Sequence, residues 1–460
     1  MSTSTVILTG WGRIAPSAAR LAEPGSDSDV AALLARPPAD SGAVIPRGLG
    51  RSYNNAAQSA GGLVLSTARL NRILSLDEAT GVAVCEAGVS LEQLMVAGLP
   101  AGWFVPVSPG TRQVTIGGAI AADVHGKNHH VAGSFAGHVR SLRLVLPGGE
   151  QRTVTPDDEL FWMTAGGMGL TGFITQATVQ LKRIETALVK VDTVRTADID
   201  ETMAVLAEHD RKYGYTVAWS DSLARGGQLG RSIITSGDFA APGDLSGKQR
   251  ETPFAFDPRA RLAAPGAFPP GLINRYTVRL ANEAWYRKAP RLREGELQTI
   301  GQFFHPLDGI RNWNRVYGPG GFRQYQYVMP FGAEAAVRRS FEMVSAHPAP
   351  SFVTVLKRFG EGDPGLLSFP VPGWTLALDF PARTPGLGPL LDQLDQLVLR
   401  HGGRVYLAKD SRVPARVLEE MYPRLPEFRK VRAEIDPAGV LASDLSRRLG
   451  LLRPPPVRSG

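Results

Sequence analysis

Three glycine-rich loops carry side chains and backbone groups that can hold a phosphorylated ligand. The loops PRGLGRSY (46–53), PGTRQVTIGGA (109–119) and GGMGLTG (166–172) interleave glycine with Arg, Thr and Ser. Successive backbone N–H groups in such turns form anion-binding nests, and arginine donates paired hydrogen bonds to phosphate oxygens. Any one loop is equally compatible with ordinary turns in a β-rich domain. All three within about 130 residues favour a large phosphorylated cofactor.

The third loop contains the pattern G-x-G-x-x-G at residues 167–172, which is also the fingerprint of a dinucleotide site. That fingerprint requires a strand before the loop and a helix after it, because the pyrophosphate lies at the helix N-terminus. Here the order is reversed, since ELFWMTAGG has helical character and GFITQATVQLK alternates as a strand does. The context therefore argues against a nicotinamide dinucleotide.

Histidines follow the second loop in DVHGKNHH (123–130). His125, His129 and His130 can be interpreted as a metal cluster. Two of these histidines are adjacent in the chain and Asp123 is the one neighbouring carboxylate, so the set is a poor one for binding zinc. Contact with the bound cofactor is the alternative for His125. We therefore predict no metal site.

A framework of strands has to position these loops. LVLST (63–67), ILSL (73–76) and VAVCEAG (82–88) are strand-like, and DEATG (77–81) is typical of a hairpin turn. Ser90 and Gln93 form a capping box that predicts a helix ending near Gly98. Residues 1–187 are therefore expected to form a first α+β domain rather than alternating βαβ units.

The pattern changes after residue 187. Residues 188–403 predict a second domain, in which QYQYVMP, SFVTVLKRFG and WTLALDFP favour an antiparallel sheet. The Gly-, Pro- and Ala-rich segment 225–275 predicts a mobile cover over a pocket, with plain disorder as the alternative. Residues 404–460 contain YLAKDSR, two short amphipathic helical stretches and a terminus expected to fray.

Composition narrows the class of protein. The 460 residues suit two domains, and 43% hydrophobic with 20% charged residues is typical of a globular chain. The net charge of +8 has no run of five like charges, which argues against nucleic-acid binding and favours anionic small molecules or a membrane surface. The lone Cys85 excludes a disulfide framework and is expected to be a small buried hydrophobe. No stretch predicts a membrane span or a secretory signal.

The three loops, in this order and spacing, resemble the FAD-binding elements of the vanillyl-alcohol oxidase family. Six further motifs resemble one branch of that family in particular: LTGWGR, WYRK (285–288), FHPLD (304–308), QYQYVMP (324–330), LSFPVPGW (367–374) and YLAKDSR (406–412). The resemblance covers nearly the whole chain and is weakest in 225–265. It implies a two-domain α+β fold, with an FAD domain formed by both chain ends and a central substrate domain containing an antiparallel sheet. Many relatives attach FAD to a histidine where this chain has Arg51, so a non-covalent FAD is expected.

The resemblance also assigns residues. The cofactor-binding positions it implies are Arg47, Gly48, Leu49, Gly50, Arg51, Ser52, Tyr53, Pro109, Gly110, Thr111, Arg112, Thr115, Gly117, Gly118, Ala119, Ala122, Val124, His125, Gly126, Asn128, Gly169, Thr171, Gly172, Ile174 and Tyr406. The substrate positions it implies are Trp219, Gln324, Gln326, Lys357, Thr375 and Lys409, and the catalytic positions are Lys409, His125 and Tyr53.

Several of these residues have plainer interpretations. Lys409 stands beside Asp410 and can form a surface ion pair, Lys357 can extend to the surface from its strand, and Trp219 can be core packing. A cation near the flavin suits hydride transfer, because negative charge develops on the ring. Whether Lys409, His125 or a water accepts the hydroxyl proton is open at this point.

The function implied is FAD-dependent oxidation of the 2′-hydroxyl of a prenyl-phosphoryl ribose to the 2′-keto sugar. A separate NADH-dependent reductase would then give the arabinose epimer for cell-wall arabinan. The alternative is another alcohol oxidase of this fold, acting on an alditol, an aldonolactone or a free sugar, because Thr375, Ala377, Phe304 and Met168 depart from the family's pattern in the pocket. Peripheral membrane contact at the cell envelope is expected, on the periplasmic side by resemblance, although the missing signal leaves the cytoplasmic face open.

Overall fold

The computed structural model describes residues 3–38, 41–260, 262–265, 268 and 271–452. The terminus expected to fray, residues 453–460, lies outside the described residues. The helices are α1 (Asp27–Ala35), α2 (Leu91–Gly98), α3 (Ile116–Ala121), α4 (His129–Ala132), α5 (Glu159–Thr164), α6 (Ile199–His209), α7 (Lys248–Glu251), α8 (Arg275–Lys288), α9 (Ile300–Phe303), α10 (Glu334–Ala346), α11 (Leu387–Arg400), α12 (Ala415–Met421), α13 (Leu425–Ile435) and α14 (Asp444–Leu449).

The strands alternate with these helices along the chain. They are β1 (Ser4–Leu8), β2 (Ser17–Ala22), β3 (Val44–Arg47), β4 (Leu63–Ser66), β5 (Ile73–Asp77), β6 (Val82–Glu86), β7 (Trp103–Phe104), β8 (Val139–Val145), β9 (Gln151–Val154), β10 (Phe173–Gln180), β11 (Lys182–Arg183), β12 (Leu188–Thr196), β13 (Tyr215–Ser220), β14 (Ser232–Phe239), β15 (Leu262–Ala263), β16 (Leu292–Thr299), β17 (Ile310–Arg311), β18 (Phe322–Pro330), β19 (Thr354–Phe359), β20 (Gly373–Pro381) and β21 (Arg404–Val405).

Two sheets form the N-terminal part of this α+β fold. The first has the order β1-β2-β4-β3, with parallel pairing of β4 to both β2 and β3. The second is antiparallel, with the order β5-β6-β10-β8-β9. In β10 the buried Ala177 and Val179 alternate with the half-exposed Thr178 and Gln180, as the sequence predicted.

The central part is an eight-stranded antiparallel sheet with the order β16-β12-β14-β13-β19-β20-β18-β21. The predicted antiparallel sheet is therefore confirmed, and β21 brings the start of the C-terminal segment onto its edge. Farther along the chain, the N–H of Val44 donates to the carbonyl of Val440 and the N–H of Ala442 donates to the carbonyl of Val44. These bonds return the chain end to the N-terminal sheet.

Several local predictions can be compared with the structure. The capping box is confirmed, because the N–H of Gln93 donates to Ser90 Oγ at 3.1 Å and the N–H of Ser90 donates to Gln93 Oε1 at 2.9 Å. Cys85 is fully buried. The third glycine loop has α5 before it and β10 after it, the reverse of a dinucleotide fingerprint. Among the described helices, none combines the length and the hydropathy needed to cross a bilayer.

Within the segment 225–275, the described residues form β14, the short helix α7 and the short strand β15, where the sequence predicted a mobile cover or disorder. Ser232–Phe239 form a complete strand between β12 and β13. Its pairing partners are residues 188–196 and 215–220, and the Gly-, Pro- and Ala-rich composition of the segment concealed it. The C-terminal segment likewise has three helices, α12 to α14, where two were predicted.

Candidate active site

A cavity of about 1250 Å³ lies between the glycine loops and one face of the central sheet. It exceeds the roughly 300–1,000 Å³ that is common for drug-sized ligands, so it has room for a large cofactor together with a substrate. The wall contributed by the loops contains residues 48–53, 108–112, 114–115, 117–118, 121–122, 124–127, 168–169 and 172. The glycine loops that the sequence singled out therefore meet at one site.

The opposite wall follows the two-residue period of the central sheet. Alternate residues of five strands face the cavity, while the residues between them belong to the hydrophobic core. The residues facing the cavity are Val217, Trp219, Ile233, Thr235, Gln324, Gln326, Val355, Lys357, Ala377 and Asp379. Trp219 and Lys357 thus lie on the cavity wall rather than in the core or on the outer surface.

The first two glycine loops contact each other closely at Gly48. A Cβ atom at this position would stand 2.3 Å from the Oγ1 of Thr115. Thr115 caps α3, since its Oγ1 accepts a hydrogen bond from the N–H of Gly118 at 3.1 Å. In the second loop, Gly110 has open space where a Cβ would be. Only glycine permits the packing of the first loop on this cap.

We expect Gly48→Ala to lower the amount of cofactor retained on purification and to destabilise the protein. The added methyl group displaces Thr115, and loss of a helix cap costs about 0.5–2 kcal/mol. Cofactor content follows from visible absorbance relative to protein absorbance, and stability follows from thermal unfolding. Gly137→Ala is the matched control, because nothing lies within 4 Å of its added Cβ and residue 137 is outside the cavity wall. Equal cofactor content in both variants would contradict the role of Gly48.

Five predicted site residues have side chains that lie behind the cavity wall. The guanidinium of Arg47 donates to the carbonyls of Thr9 at 2.8 Å and Ala57 at 3.0 Å. Ala119 belongs to the hydrophobic core, and the amide of Asn128 donates to the carbonyl of Pro106. The hydroxyls of Thr171 and Thr164 are hydrogen-bonded to each other, and the hydroxyl of Thr375 accepts from the amide of Gln326. Their side chains support the wall from behind, which corrects the expectation of direct contact. The remaining predicted residues line the cavity.

The second glycine loop is held by residues about 200 positions later in the chain. His305 Nε2 and Ser108 Oγ are 2.6 Å apart. The Asp308 carboxylate accepts hydrogen bonds from the hydroxyl of Thr111 at 2.7 Å and from the N–H of Arg112 at 2.8 Å. The FHPLD motif of the central domain therefore fixes the geometry of a loop in the N-terminal domain.

The segment that carries Lys409 is held against the first glycine loop. The N–H of Tyr53 donates to the carbonyl of Ala408 at 2.9 Å, and the Nδ2 of Asn54 donates to the carbonyl of Leu407 at 2.6 Å. Asp410 is buried and pairs with Arg448 at 2.7 Å. The surface ion pair between Lys409 and Asp410 is therefore excluded, and the Lys409 side chain lines the cavity.

Lys409 and Asp379 form an electrostatically linked pair in the cavity wall. Burial lowers the pKa of Lys409, and the neighbouring Asp379 carboxylate opposes that shift. Burial raises the pKa of Asp379, while a hydrogen bond from Gln324 and the charge of Lys409 oppose the rise. Burial thus moves the two pKa values toward each other, whereas the attraction between the Asp379 carboxylate and the Lys409 ammonium favours the charged form of each.

The ring of Tyr53 lies under this pair. The Lys409 Nζ is 5.4 Å from the Tyr53 ring centroid and 5.9 Å from that of Tyr406, both within cation–π range. Burial, together with the charge of Asp379, raises the pKa of Tyr53 further above its ordinary value. Tyr53 therefore stays protonated, and its contact positions the ammonium of Lys409.

His125 is a buried, neutral imidazole. Burial lowers its pKa well below the ordinary value, and the charges of Lys357 and Lys409 lower it further. The hydroxyl of Thr375 donates to the carbonyl of Tyr327 at 2.8 Å, so it accepts from the amide of Gln326 at 2.9 Å. This orients the same amide to donate to His125 Nε2 at 3.0 Å, which places the imidazole proton on Nδ1. With its Nε2 lone pair occupied and its pKa low, His125 is a weak base.

Two further lysines make the cavity electropositive. Burial lowers the pKa of Lys357 to about 7, assisted by the charges of Lys409 and Lys127. Burial also lowers the pKa of Lys127 to about 7. Lys357 Nζ donates to the carbonyl of Gly126 at 3.3 Å, and Lys127 donates to the carbonyl of Phe303. An anion in the cavity would raise both pKa values and restore both charges.

The histidines after the second loop bind protein groups. His129 Nδ1 accepts from the N–H of Gly360 at 3.2 Å, and His130 Nε2 is 2.9 Å from the carbonyl of Tyr213. Across the described ranges, no group of three or more His, Cys, Asp and Glu side chains is arranged to hold a metal ion. These two histidines connect the N-terminal domain to the central sheet.

The residues present fit FAD. The loops leave room only for glycine at Gly48, and Gln326 has a buried Oε1 without a partner in the part of the chain described, which suits a ligand that donates a hydrogen bond. The guanidinium of Arg51 lies over the Trp11 ring, 4.3 Å from its centroid. An arginine remains protonated and has no nucleophilic nitrogen, so this position offers no covalent attachment.

Sequence reasoning missed four residues of this site. Asp379 had a usable signal, because Thr375, Ala377 and Asp379 share one strand face and Asp379 stands opposite Gln324 in the sheet register. Lys127 had no signal of its own within a loop. His305 and Asp308 belonged to a motif that carried resemblance without a role, and only the tertiary structure places them on the second glycine loop.

One departure from the family pattern also has a structural reading. Met168, one of these departures, adopts φ +55°. This left-handed conformation is several-fold commoner for asparagine than for methionine. Methionine is therefore an uncommon residue for this backbone conformation.

Comparison with known proteins agrees with this geometry. An FAD binding domain matches residues 18–155, and a D-arabinono-1,4-lactone oxidase domain matches residues 382–449. The decaprenylphosphoryl-beta-D-ribose oxidase of Mycolicibacterium smegmatis is 45% identical over 98% of this chain and 98% of its own. An uncharacterised protein from Streptomyces coelicolor is 42% identical over 79% of this chain and all of its own length. A D-lactate dehydrogenase of Archaeoglobus fulgidus is 32% identical over 36% of this chain and 40% of its own.

Proposed function

Since the chain belongs to the family of FAD-dependent oxidases that includes the decaprenylphosphoryl-beta-D-ribose oxidase of Mycolicibacterium smegmatis, we propose that it oxidises the 2′-hydroxyl of a prenyl-phosphoryl ribose. The product would be the 2′-keto sugar. The observation that carries the proposal is the Lys409 and Asp379 pair in the wall of an electropositive cavity beside the FAD-binding loops. A related enzyme acting on a neutral sugar would have no need of the additional lysines.

The chemistry that FAD supplies when bound is acceptance of a hydride from a C–H bond. The alcohol must also lose its hydroxyl proton, and we assign its acceptance to the carboxylate of Asp379, which lies buried in the cavity wall and whose pKa burial raises. The ammonium of Lys409 stabilises negative charge that develops in the cavity during the transfer. His125 remains neutral and supports the wall of the cavity.

The lysines farther along the sheet suit the phosphate of the substrate. Lys357 and Lys127 are both buried at the cavity wall, and none of the described carboxylates is paired with them. Burial disfavours the positive charges of these two lysines, and a phosphate between them would neutralise those charges. The aromatic side chains of Trp219, Trp313 and Phe352 give the cavity apolar surface as well.

Anaerobic mixing of the yellow protein with candidate substrates tests the proposal. A prenyl-phosphoryl ribose should bleach the visible flavin absorbance within the time of a few turnovers, whereas an alditol or an aldonolactone should not. The lactone is the relevant rival, because residues 382–449 match a D-arabinono-1,4-lactone oxidase domain. Bleaching by the lactone and none by the prenyl-phosphoryl ribose would replace our proposal with that rival.

The flavin itself should be dissociable. Acid precipitation of the purified protein is expected to leave its yellow colour in the supernatant, because Arg51 occupies the attachment position and cannot form a bond to FAD. Measurement of flavin absorbance in the pellet and supernatant decides this. A pellet that remained yellow after washing would show that another residue is attached to the flavin.

Two partners follow from the proposed chemistry. The 2′-keto sugar has to be reduced at C2′ to give the arabinose epimer. A separate NADH-dependent reductase is therefore expected to consume the product. The prenyl chain is insoluble in water, so the enzyme has to meet its substrate at a membrane, and peripheral contact at the cell envelope is part of the proposal.

A further inference from the structure

Helix α8 presents an apolar ridge to solvent beside the mouth of the cavity. The ridge consists of Tyr276, Leu280 and Ala284, whose spacing of four places them on one face of the helix. Tyr276 is 86% exposed and Leu280 is 73% exposed. Ala281 and Trp285, on the adjoining face, line the cavity. The apolar ridge therefore continues into the cavity wall.

Exposed apolar side chains are frequent in the part of the chain that contains this helix. Among the described residues, seven of the thirteen large hydrophobic side chains that are exposed fall between Leu262 and Ile310. Leu262 and Ile310 are paired to each other through β15 and β17, and Ile310 also lines the cavity. Scattered exposed hydrophobics need no explanation, but a concentration at one cavity mouth marks an interaction surface.

The charges around the apolar ridge are almost all positive. Helix α8 itself contains four Arg and Lys side chains against one carboxylate, Glu283. That carboxylate is already paired with Arg231 at 2.5 Å and with Arg287. Arg279 and Lys288 are exposed beside the ridge. Exposed Leu, Tyr and Trp with flanking Arg and Lys are the composition of helices that lie in an anionic membrane interface.

We propose that α8 is a membrane-docking helix whose apolar ridge inserts into the headgroup region of an anionic phospholipid bilayer. This inference rests on the proposed function only in taking the substrate to be a lipid. Docking at this helix places the cavity mouth at the bilayer surface, so the prenyl chain passes from lipid along Trp285 without entering water. The charge of the helix selects a bilayer over an uncharged apolar partner.

Vesicle sedimentation tests the docking helix without any sugar substrate. The protein should sediment with vesicles of phosphatidylcholine containing phosphatidylglycerol, more weakly with phosphatidylcholine alone, and less as salt rises. The double variant Tyr276→Glu with Leu280→Glu should lose at least about tenfold in affinity, because two apolar side chains no longer leave water. Ile7→Glu is the matched control, because Ile7 is 78% exposed but lies on β1. The Ile7→Glu variant should bind vesicles as the wild type does.

A fluorescent label gives a second measurement that does not depend on loss of binding. The native Cys85 is buried, so Leu280→Cys provides the reactive thiol for an environment-sensitive dye. Its emission should shift to shorter wavelength on addition of the anionic vesicles, whereas the same dye on Ile7→Cys should not respond. Absence of the shift, absence of wild-type binding to every vesicle, or equal loss in the Ile7→Glu control would overturn the proposal and leave a protein partner as the occupant.

The docking helix and the proposed function can fail separately. A short-chain, water-soluble prenyl-phosphoryl ribose needs no membrane, so the double variant should bleach with it at the wild-type rate. If the wild type binds vesicles through α8 but is not bleached by this compound, the docking helix stands and the proposed substrate is wrong. If bleaching occurs and the α8 variants bind vesicles unchanged, the substrate stands and the docking helix is wrong.

Discussion

Lys409→Met is expected to slow reduction of the bound flavin by substrate about 10²- to 10³-fold, the loss typical of removing one group that stabilises transition-state charge. Methionine is close to lysine in length and retains the contact with the Tyr53 ring, so the cavity should keep its shape. Stopped-flow measurement of flavin bleaching under anaerobic conditions gives the rate. Flavin content and thermal stability should stay near those of the wild type.

The control for Lys409→Met is a lysine with a similar aromatic contact outside the cavity. Lys182 lies over the Tyr215 ring, 4.7 Å from its centroid, and donates to the Tyr215 hydroxyl at 3.1 Å. Lys182→Met should leave the rate of bleaching unchanged. A second measurement separates chemistry from binding: Lys409→Met should also make the flavin midpoint potential more negative, because the reduced form carries the negative charge. A normal potential with a normal rate would remove Lys409 from the catalytic role.

Structural features that depend on residues close together in the sequence were predictable, and those that depend on residues far apart in the sequence were not. The capping box at Ser90 and the reversed context of the third glycine loop depend on residues a few positions apart, and both were predictable. Strand β14 required pairing with β12 and β13, which local periodicity does not record. The same distinction explains why the glycine loops were found and why Asp308, about 200 residues from the loop that it holds, was missed.

The sequence likewise predicted some features of the candidate site and not others. Residue types and resemblance brought together Lys409, Lys357 and Gln326, all of which line the cavity. They could not say which group accepts the proton, because that depends on burial and on hydrogen bonds between distant strands. The structure supplies both: Gln326 occupies the lone pair of His125, and Asp379 shares the cavity with Lys409.

Asp379→Asn is therefore expected to reduce the rate of flavin bleaching by about 10²- to 10⁴-fold, the range for loss of a positioned general base. Asparagine has the same shape and can still accept the hydrogen bond from Gln324, so the fold of the cavity should persist. Asp395→Asn is the matched control. Asp395 is also buried, and burial raises its pKa to about 7. Outside the cavity wall it accepts a hydrogen bond from the Tyr325 hydroxyl at 2.9 Å and pairs with Arg412 at 2.6 Å.

The pH dependence of bleaching provides the sharper test of Asp379. In the wild type the rate should fall as pH drops through the raised pKa of Asp379, because the protonated acid cannot accept a proton, and should fall again as Lys409 loses its proton at higher pH. Asp379→Asn should abolish the acid limb. It should also move the alkaline limb to lower pH, because the carboxylate that opposes the lowered pKa of Lys409 is gone. An acid limb that survived in Asp379→Asn would assign the proton to another acceptor, whereas Asp395→Asn should keep both limbs in place.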